Sequence, residues 1–254
     1  MLNGNTTGKL REMKLNTMAQ VFRDQMTDNA FSGLSFEERF GMLVDAEWAA
    51  RKSNRLAKLV RQAGYSEQAC VEDIDFLPLR SLDKAQIMRL ETCAYIYEHQ
   101  NIILLGATGS GKSYVAAALG MAANRNFLNV RYVRLPELLD ELAIARGDGT
   151  YRKIINQYKK IPLLILDEWM LFSLNDYAAR DLLEIAESRY KKASTIFCSQ
   201  FQPAGWHTNF SEATVAEAIM DRIVHIAHQI EIRLLDENGN EISMREYYAR
   251  NKAK

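Results

Sequence analysis

Gly106-Ala107-Thr108-Gly109-Ser110-Gly111-Lys112-Ser113 satisfies every position of the pattern G-x-x-x-x-G-K-[ST]. Before it, Asn101-Ile102-Ile103-Leu104-Leu105 is a short apolar run of the kind that forms a buried parallel strand. After it, Lys112 to Asn124 is alanine-rich and free of proline, and reads as a helix. Strand, glycine loop and helix is the arrangement that phosphate binding needs. Gly106, Gly109 and Gly111 let backbone N–H groups turn inward around phosphate oxygens, with Ala107, Thr108 and Ser110 completing the loop. The helix N-terminus adds a partial positive charge. In such a loop Lys112 reaches the β- and γ-phosphates of ATP, and the Ser113 hydroxyl ligates Mg²⁺. A tight glycine turn with an incidental lysine would leave the eight matched positions and both flanks unexplained.

A second apolar run, Ile161-Pro162-Leu163-Leu164-Ile165-Leu166, ends in Asp167-Glu168. A carboxylate at the C-terminal tip of a buried strand beside a phosphate loop is placed to hold Mg²⁺ through water, the role expected of Asp167. Glu168 suits the polarising of a water for attack on the γ-phosphate. One carboxylate for the metal and one for the water is the pattern of an ATP hydrolase, whereas a kinase would bring an acceptor site. Ser199-Gln200 closes another strand. Gln200 is the candidate reader of the γ-phosphate, with Ser199 next; a plain polar strand end is the other reading. Arg180, Arg189, Arg222 and Arg245 all follow the acidic strand. Hydrolysis gains from an arginine at the transferring phosphoryl group, but position alone selects none of them.

Composition bounds the rest. The chain has 254 residues, 48% hydrophobic and 25% charged, which fits one main globular domain with an appended segment. Thirty-two basic and thirty-two acidic residues cancel, so any case for nucleic acid must rest on local patches. Cys70, Cys93 and Cys198 are widely separated and lack metal-ligand spacing, as in a reduced cytoplasmic protein. No signal-length N-terminal run and no stretch of 18 apolar residues is present, so a soluble chain without a membrane span is expected.

Residues 1–64 read as a helical N-terminal domain. Lys9 to Gln25 carries Leu10, Met13, Met18, Val21 and Phe22 at helical spacing. Ser35 with Glu38 forms a capping box, followed by the apolar stripe Phe36, Phe40, Leu43, Val44 and Trp48. That helix is expected to continue to about Gln62. Its second half holds Arg51, Lys52, Arg55, Lys58 and Arg61 with no acidic residue between them. Arg51, Arg55 and Lys58 share one face, which is either a salt-sensitive phosphate-contacting surface or a solvated face. Thr150-Tyr151-Arg152-Lys153 is a second basic patch. Residues 65–100 form a connector with a helix from Asp83 to Glu98. From 101 to 254 strands and helices alternate, with helix 215–226 and a fifth strand over Gln229–Leu234. This pattern predicts an α/β domain with a central parallel sheet and helices on both faces.

Other segments carry a family likeness. They are Lys9-Leu10-Arg11, Ser35-Phe36-Glu37-Glu38-Arg39-Phe40, Asp45-Ala46-Glu47-Trp48-Ala49-Ala50-Arg51 and Asp75-Phe76. Ile165-Leu166-Asp167-Glu168, Ser194-Thr195-Ile196, Met220-Asp221-Arg222-Ile223 and Ser243-Met244-Arg245 follow. With these, nearly the whole chain resembles the IstB-type transposition helper ATPases, relatives of the DnaC-type helicase loaders within the AAA+ superfamily. The resemblance implies a P-loop AAA+ three-layer fold preceded by a small all-helical domain. It implies Arg222 as an arginine finger acting in trans and Arg245 as a second sensor arginine. It further implies an ATP- and Mg²⁺-dependent homo-oligomer on double-stranded DNA that assists a partner transposase in target selection and transposition activity. Ser113 stands where threonine is common, and Gln200 where many relatives carry asparagine. The bulky Trp169 after the acidic pair has no account from sequence. About twenty residues after the last strand leave no room for a full helical lid, so closure is expected to depend on a neighbouring subunit.

Three other readings remain at this level. A DnaC-like helicase loader in DNA replication differs in partner rather than chemistry. A small-molecule or nucleoside kinase is disfavoured by the acidic pair and the late arginines. A nucleotide-gated scaffold with little turnover is disfavoured by Glu168.

Overall fold

The computed structural model describes residues 2–252. The chain divides into two compact units, one ending at Lys58 and the other beginning at Leu59. The first holds α1 (Leu2–Glu12), α2 (Asn16–Thr27) and most of α3 (Phe36–Ala63). The single helix expected over residues 9–25 is broken. Lys14 takes a left-handed φ of 61°, Lys14 N–H donates to Arg11 O and Leu15 N–H to Leu10 O, the paired bonds of a Schellman stop. The capping box forms: Glu38 N–H donates to Ser35 Oγ at 3.2 Å and Ser35 N–H to Glu38 Oε2 at 2.8 Å. The apolar stripe does not face inward. Phe36, Phe40, Val44 and Trp48 are exposed, while Leu43 and Glu47 are buried. Glu47 Oε2 accepts the Thr17 and Met18 N–H groups, each at 3.0 Å, and so caps α2 from α3.

In the second unit, α4 (Lys84–Glu91), capped by Asp83, and the short α5 (Ala94–Tyr97) replace the one helix expected over 83–98. The break is at Cys93, which takes a φ of 64°. Then β1 (Asn101–Leu105), α6 (Lys112–Arg125), β2 (Val130–Arg134), α7 (Leu135–Gly147), α8 (Tyr151–Lys160) and β3 (Leu163–Asp167) follow. The chain continues with α9 (Asp176–Arg189), β4 (Ser194–Ser199), α10 (Ala213–Val224), β5 (Ala227–Glu231) and α11 (Met244–Lys252). The five strands are parallel, in the order β2-β3-β4-β1-β5.

Side-chain alternation along each strand builds two cores. Ile102, Leu104, Leu163, Ile165, Ile196 and Cys198 pack with α6 and α4 on one face. Ile103, Leu105, Leu164, Leu166 and Phe197 pack with α7, α9 and α10 on the other. Strands buried on both faces are what crossover helices require, and they explain the continuous apolar runs. β5 ends earlier than expected. Ile232 N–H still donates to Leu105 O, but Leu234 bridges to Arg80 in the connector, so the alternating buried residues 230, 232 and 234 serve two partners. No helix among the described residues is long and apolar enough to cross a membrane.

Candidate nucleotide site

The loop from Gly106 to Ser113 joins β1 to α6. Gly106 N–H donates to Ser199 O at 3.3 Å, which ties the loop to the tip of β4. A Cβ on Gly106 would stand 2.3 Å from Ile232 O, so only glycine admits the backbone that follows β5. Gly111, at φ 95°, is the N-cap of α6 and supplies no side-chain cap. The first amides of α6 therefore lack intrahelical partners and are available to an anion. Lys112 Nζ donates to Gly106 O and Ala107 O, both at 2.8 Å, and so curls back over the loop. Burial pushes this ammonium below its ordinary pKa. Ser110 Oγ is buried in the same loop with no hydrogen-bond partner. Uncapped amides, a folded-back lysine and an orphan hydroxyl fit the phosphates of a nucleotide.

Two cavities flank the loop. One, of about 380 Å³, is lined by Gly109, Gly111, Lys112, Ser113 and Tyr114 together with Arg80 and with Arg245 and Tyr248 of α11. In the other, of about 520 Å³, Ser113 meets Asp167, Tyr132, Arg134 and again Arg245. Met244 N–H donates to Gly109 O at 2.9 Å, which docks α11 on the loop and brings Arg245 there. A hydroxyl and a carboxylate converging on one cleft form the hard oxygen donor set that suits Mg²⁺. Asp167 Oδ1 accepts the Glu168 N–H at 2.8 Å, and Oδ2 accepts the Tyr132 hydroxyl.

Glu168 and Met170 both adopt left-handed backbone, at φ 56° and 54°. Trp169 between them accounts for how this turn is held. Its N–H donates to Cys198 O at 2.8 Å, and its carbonyl accepts the Ser199 hydroxyl at 3.0 Å. Its ring, 2% exposed, packs edge-on against Phe197 and Trp206 at 4.7 and 5.7 Å between centroids. Trp206 Nε1 in turn donates to Ser199 Oγ at 3.1 Å. The Glu168 carboxylate stands 3.7 Å from Arg134, which also pairs with Glu137. That pairing, with Glu137 first and Glu168 next, raises the Arg134 pKa and lowers that of Glu137.

Glu168 lines neither of these cavities but a neighbouring one, with Pro136, Leu139, Phe172 and Tyr177, and the remaining expected residues also lie apart from the loop. Gln200 is exposed just beyond β4 and lines neither cavity, while Ser199 is buried and committed to Trp169 and Trp206. Arg222 on α10 donates to Ala218 O at 2.6 Å, pairs with Glu187 at 3.1 Å and lines neither cavity. Arg180 is exposed on α9. Arg189 is 3% exposed and donates to Thr195 Oγ1 and to the carbonyls of Tyr158, Ile161 and Ser194. Burial lowers its pKa to about 9, still above neutrality. It is a core clamp and cannot reach a neighbour's phosphate. Of the basic patches, Arg51 is held by Glu47 at 2.8 Å and Lys14 O at 3.1 Å, and the Tyr151 hydroxyl by Asp181 and Glu184. Tyr132, Arg80 and Arg134 were not singled out from sequence. Tyr132 and Arg134 are alternate residues of one strand, but their relevance depends on that strand lying beside β3.

The family model of IstB-like ATP-binding proteins matches residues 8–245. The chain belongs to the IstB-like ATP-binding protein family. The insertion sequence ATP-binding protein y4pL of Sinorhizobium fredii is 41% identical over 232 residues, covering 91% of this chain and 95% of that protein. The ATP-binding protein of insertion sequence IS1162 from Pseudomonas fluorescens is 40% identical, covering 79% and 87% respectively. Among solved structures, DnaI shares 25% identity at a TM-score of 0.54, over 69% of this chain and 93% of DnaI. DnaA of Aquifex aeolicus, bound to AMPPCP, superposes with a TM-score of 0.56 at 20% identity, over 69% and 53%. The chain thus has the AAA+ P-loop fold seen in DnaI and DnaA, while y4pL and the IS1162 protein come from insertion sequences.

Proposed function

We propose that this protein is a Mg²⁺-dependent ATPase that assembles on double-stranded DNA and assists the transposase of an insertion sequence, affecting target selection and transposition activity. The observation that carries the hydrolytic part is Asp167-Glu168 at the tip of β3, with Asp167 sharing a cavity with Ser113 of the loop. Lys112 and the α6 amides bind and orient the phosphates. Ser113 and Asp167 would hold Mg²⁺, whose chemistry there is neutralisation of charge on the phosphate oxygens. Glu168 takes the proton of the attacking water, held in its turn by Trp169 and next to Arg134. Arg245, at the loop, contacts phosphate, and Gln200 is the remaining candidate for a γ-phosphate reader. Insertion-sequence relatives at 41% and 40% identity support a transposase partner over a replicative helicase.

ATP turnover measured with and without double-stranded DNA tests this reading. We expect DNA to stimulate phosphate release. Glu168→Gln should bind ATP yet hydrolyse it at least ~100-fold more slowly. Wild-type turnover in that variant would remove Glu168 as the water-activating residue. Stimulation by a replicative helicase and not by the transposase would favour the helicase-loader reading.

A further inference from the structure

We propose that Tyr132 is a positioning residue for the metal carboxylate: its hydroxyl, set between Ser66 and Asp167, fixes the orientation in which Asp167 meets Mg²⁺. The inference rests on the reading of Asp167 as the metal-binding carboxylate. Arg134 is the register partner of Asp167, and Tyr132 lies two residues before it, so Tyr132 and Asp167 stand on the same face of the sheet. Tyr132 is 5% exposed. Its hydroxyl donates to Asp167 Oδ2 and accepts from Ser66 Oγ at 3.4 Å. The other carboxylate oxygen takes the Glu168 N–H at 2.8 Å. A carboxylate offers about four lone-pair sites. Two donors occupy two of them, which leaves the others to the cavity shared with Ser113.

The far end of this series of contacts is anchored separately. Tyr65 packs edge-on against Tyr132 at 6.3 Å, and its hydroxyl donates to Asn124 Oδ1 at 2.7 Å. A Cβ on Gly120 would stand 2.8 Å from the Tyr65 ring, so α6 carries a slot for it. The helix that begins with Lys112 and Ser113 thereby fixes residues 65–66, which fix Tyr132, which fixes Asp167. Outer partners of metal-binding side chains set ligand orientation, and their loss costs roughly 10–100-fold in metal affinity.

Tyr132→Phe keeps the ring and removes the hydroxyl. The affinity of this variant for a non-hydrolysable ATP analogue is measured by equilibrium titration across Mg²⁺ concentrations and without metal, together with thermal unfolding. The half-saturating Mg²⁺ concentration should rise about 10-fold or more, with metal-free affinity at the wild-type level. Ser66→Ala should shift it in the same direction by less. A Mg²⁺ curve for folded Tyr132→Phe that superimposes on wild type overturns the proposal. Equal loss of affinity with and without metal also overturns it, since Tyr132 would then act by packing alone. If Asp167→Asn leaves the Mg²⁺ dependence untouched, the metal reading of Asp167 falls first, and the proposal with it.

Discussion

Lys112 Nζ is satisfied by two carbonyls of its own loop, and an incoming phosphate must replace them. The exchange is favourable because the ammonium then faces an anion instead of neutral carbonyls, which adds direct Coulomb attraction. Lys112→Ala should therefore lower ATP affinity by about 10–100-fold, the range for a hydrogen bond to a charged group. Unchanged affinity in an equilibrium titration would remove the loop assignment. Trp169 acts on the next step. It touches no cavity beside the loop, yet its ring and backbone bonds hold the left-handed turn that carries Glu168. Misplacing a reacting group by about 1 Å costs on the order of 10²-fold. Trp169→Leu should lower kcat by up to that factor and leave ATP affinity unchanged. Loss of affinity with intact kcat would contradict this role.

At the scale of elements, one carboxylate organises the first unit. Glu47 on α3 caps α2, and Arg51 one turn later holds Glu47. The Arg51 hydrogen bond first, then the Met18 N–H, lowers the Glu47 pKa below its ordinary 4.5. Because the folded value is the lower one, its stabilisation is complete above pH 4.5 and is lost as pH falls through the folded value. Glu38, lowered by the Ser35 N–H, contributes with the same sign. Glu47→Ala should cost about 1 kcal/mol at neutral pH, as truncation of a cap does. It should also flatten the acid side of the stability profile followed by circular dichroism. An acid limb identical to wild type would show that Glu47 does not govern it. Arg51 is thus an internal strut.

At the scale of the whole molecule, Arg222 lines neither cavity beside its own loop. The part proposed for it in hydrolysis is therefore one lent to a neighbouring copy. Arg222→Ala should bind ATP but lose turnover, since finger contributions reach ~10³–10⁵ in kcat. Mixed with Lys112→Ala, it should recover part of the DNA-stimulated hydrolysis, because the second protein lends an intact Arg222 to the first protein's intact loop. No recovery in demonstrated mixed oligomers would assign Arg222 a role within its own subunit. For DNA, replacing Arg55 and Lys58 while sparing Arg51 should reduce the salt slope of binding by about 0.9 for each phosphate that is no longer neutralised. An unchanged slope would make that face a solvated one.

What the sequence determined by itself is local: the strand-loop-helix around Lys112, the acidic tip at Asp167-Glu168, the Ser35–Glu38 cap and an α/β alternation that reads as a parallel sheet. Each depends on residues a few positions apart, where propensity, periodicity and capping act directly. Breaks at Lys14 and Cys93 were not legible, because a left-handed residue other than glycine or asparagine carries little signal. The tertiary structure decided the rest. Strand order places β2 beside β3 and so brings Tyr132 to Asp167 and Arg134 to Glu168, pairs far apart in the chain. It buries Trp169 against Phe197 and Trp206, and it makes Arg189 a core clamp while leaving Arg222 half-buried on α10. A continuously apolar strand looks the same whichever neighbour it takes, so long-range pairing is set by how the packed layers close over one another, and no local pattern records it.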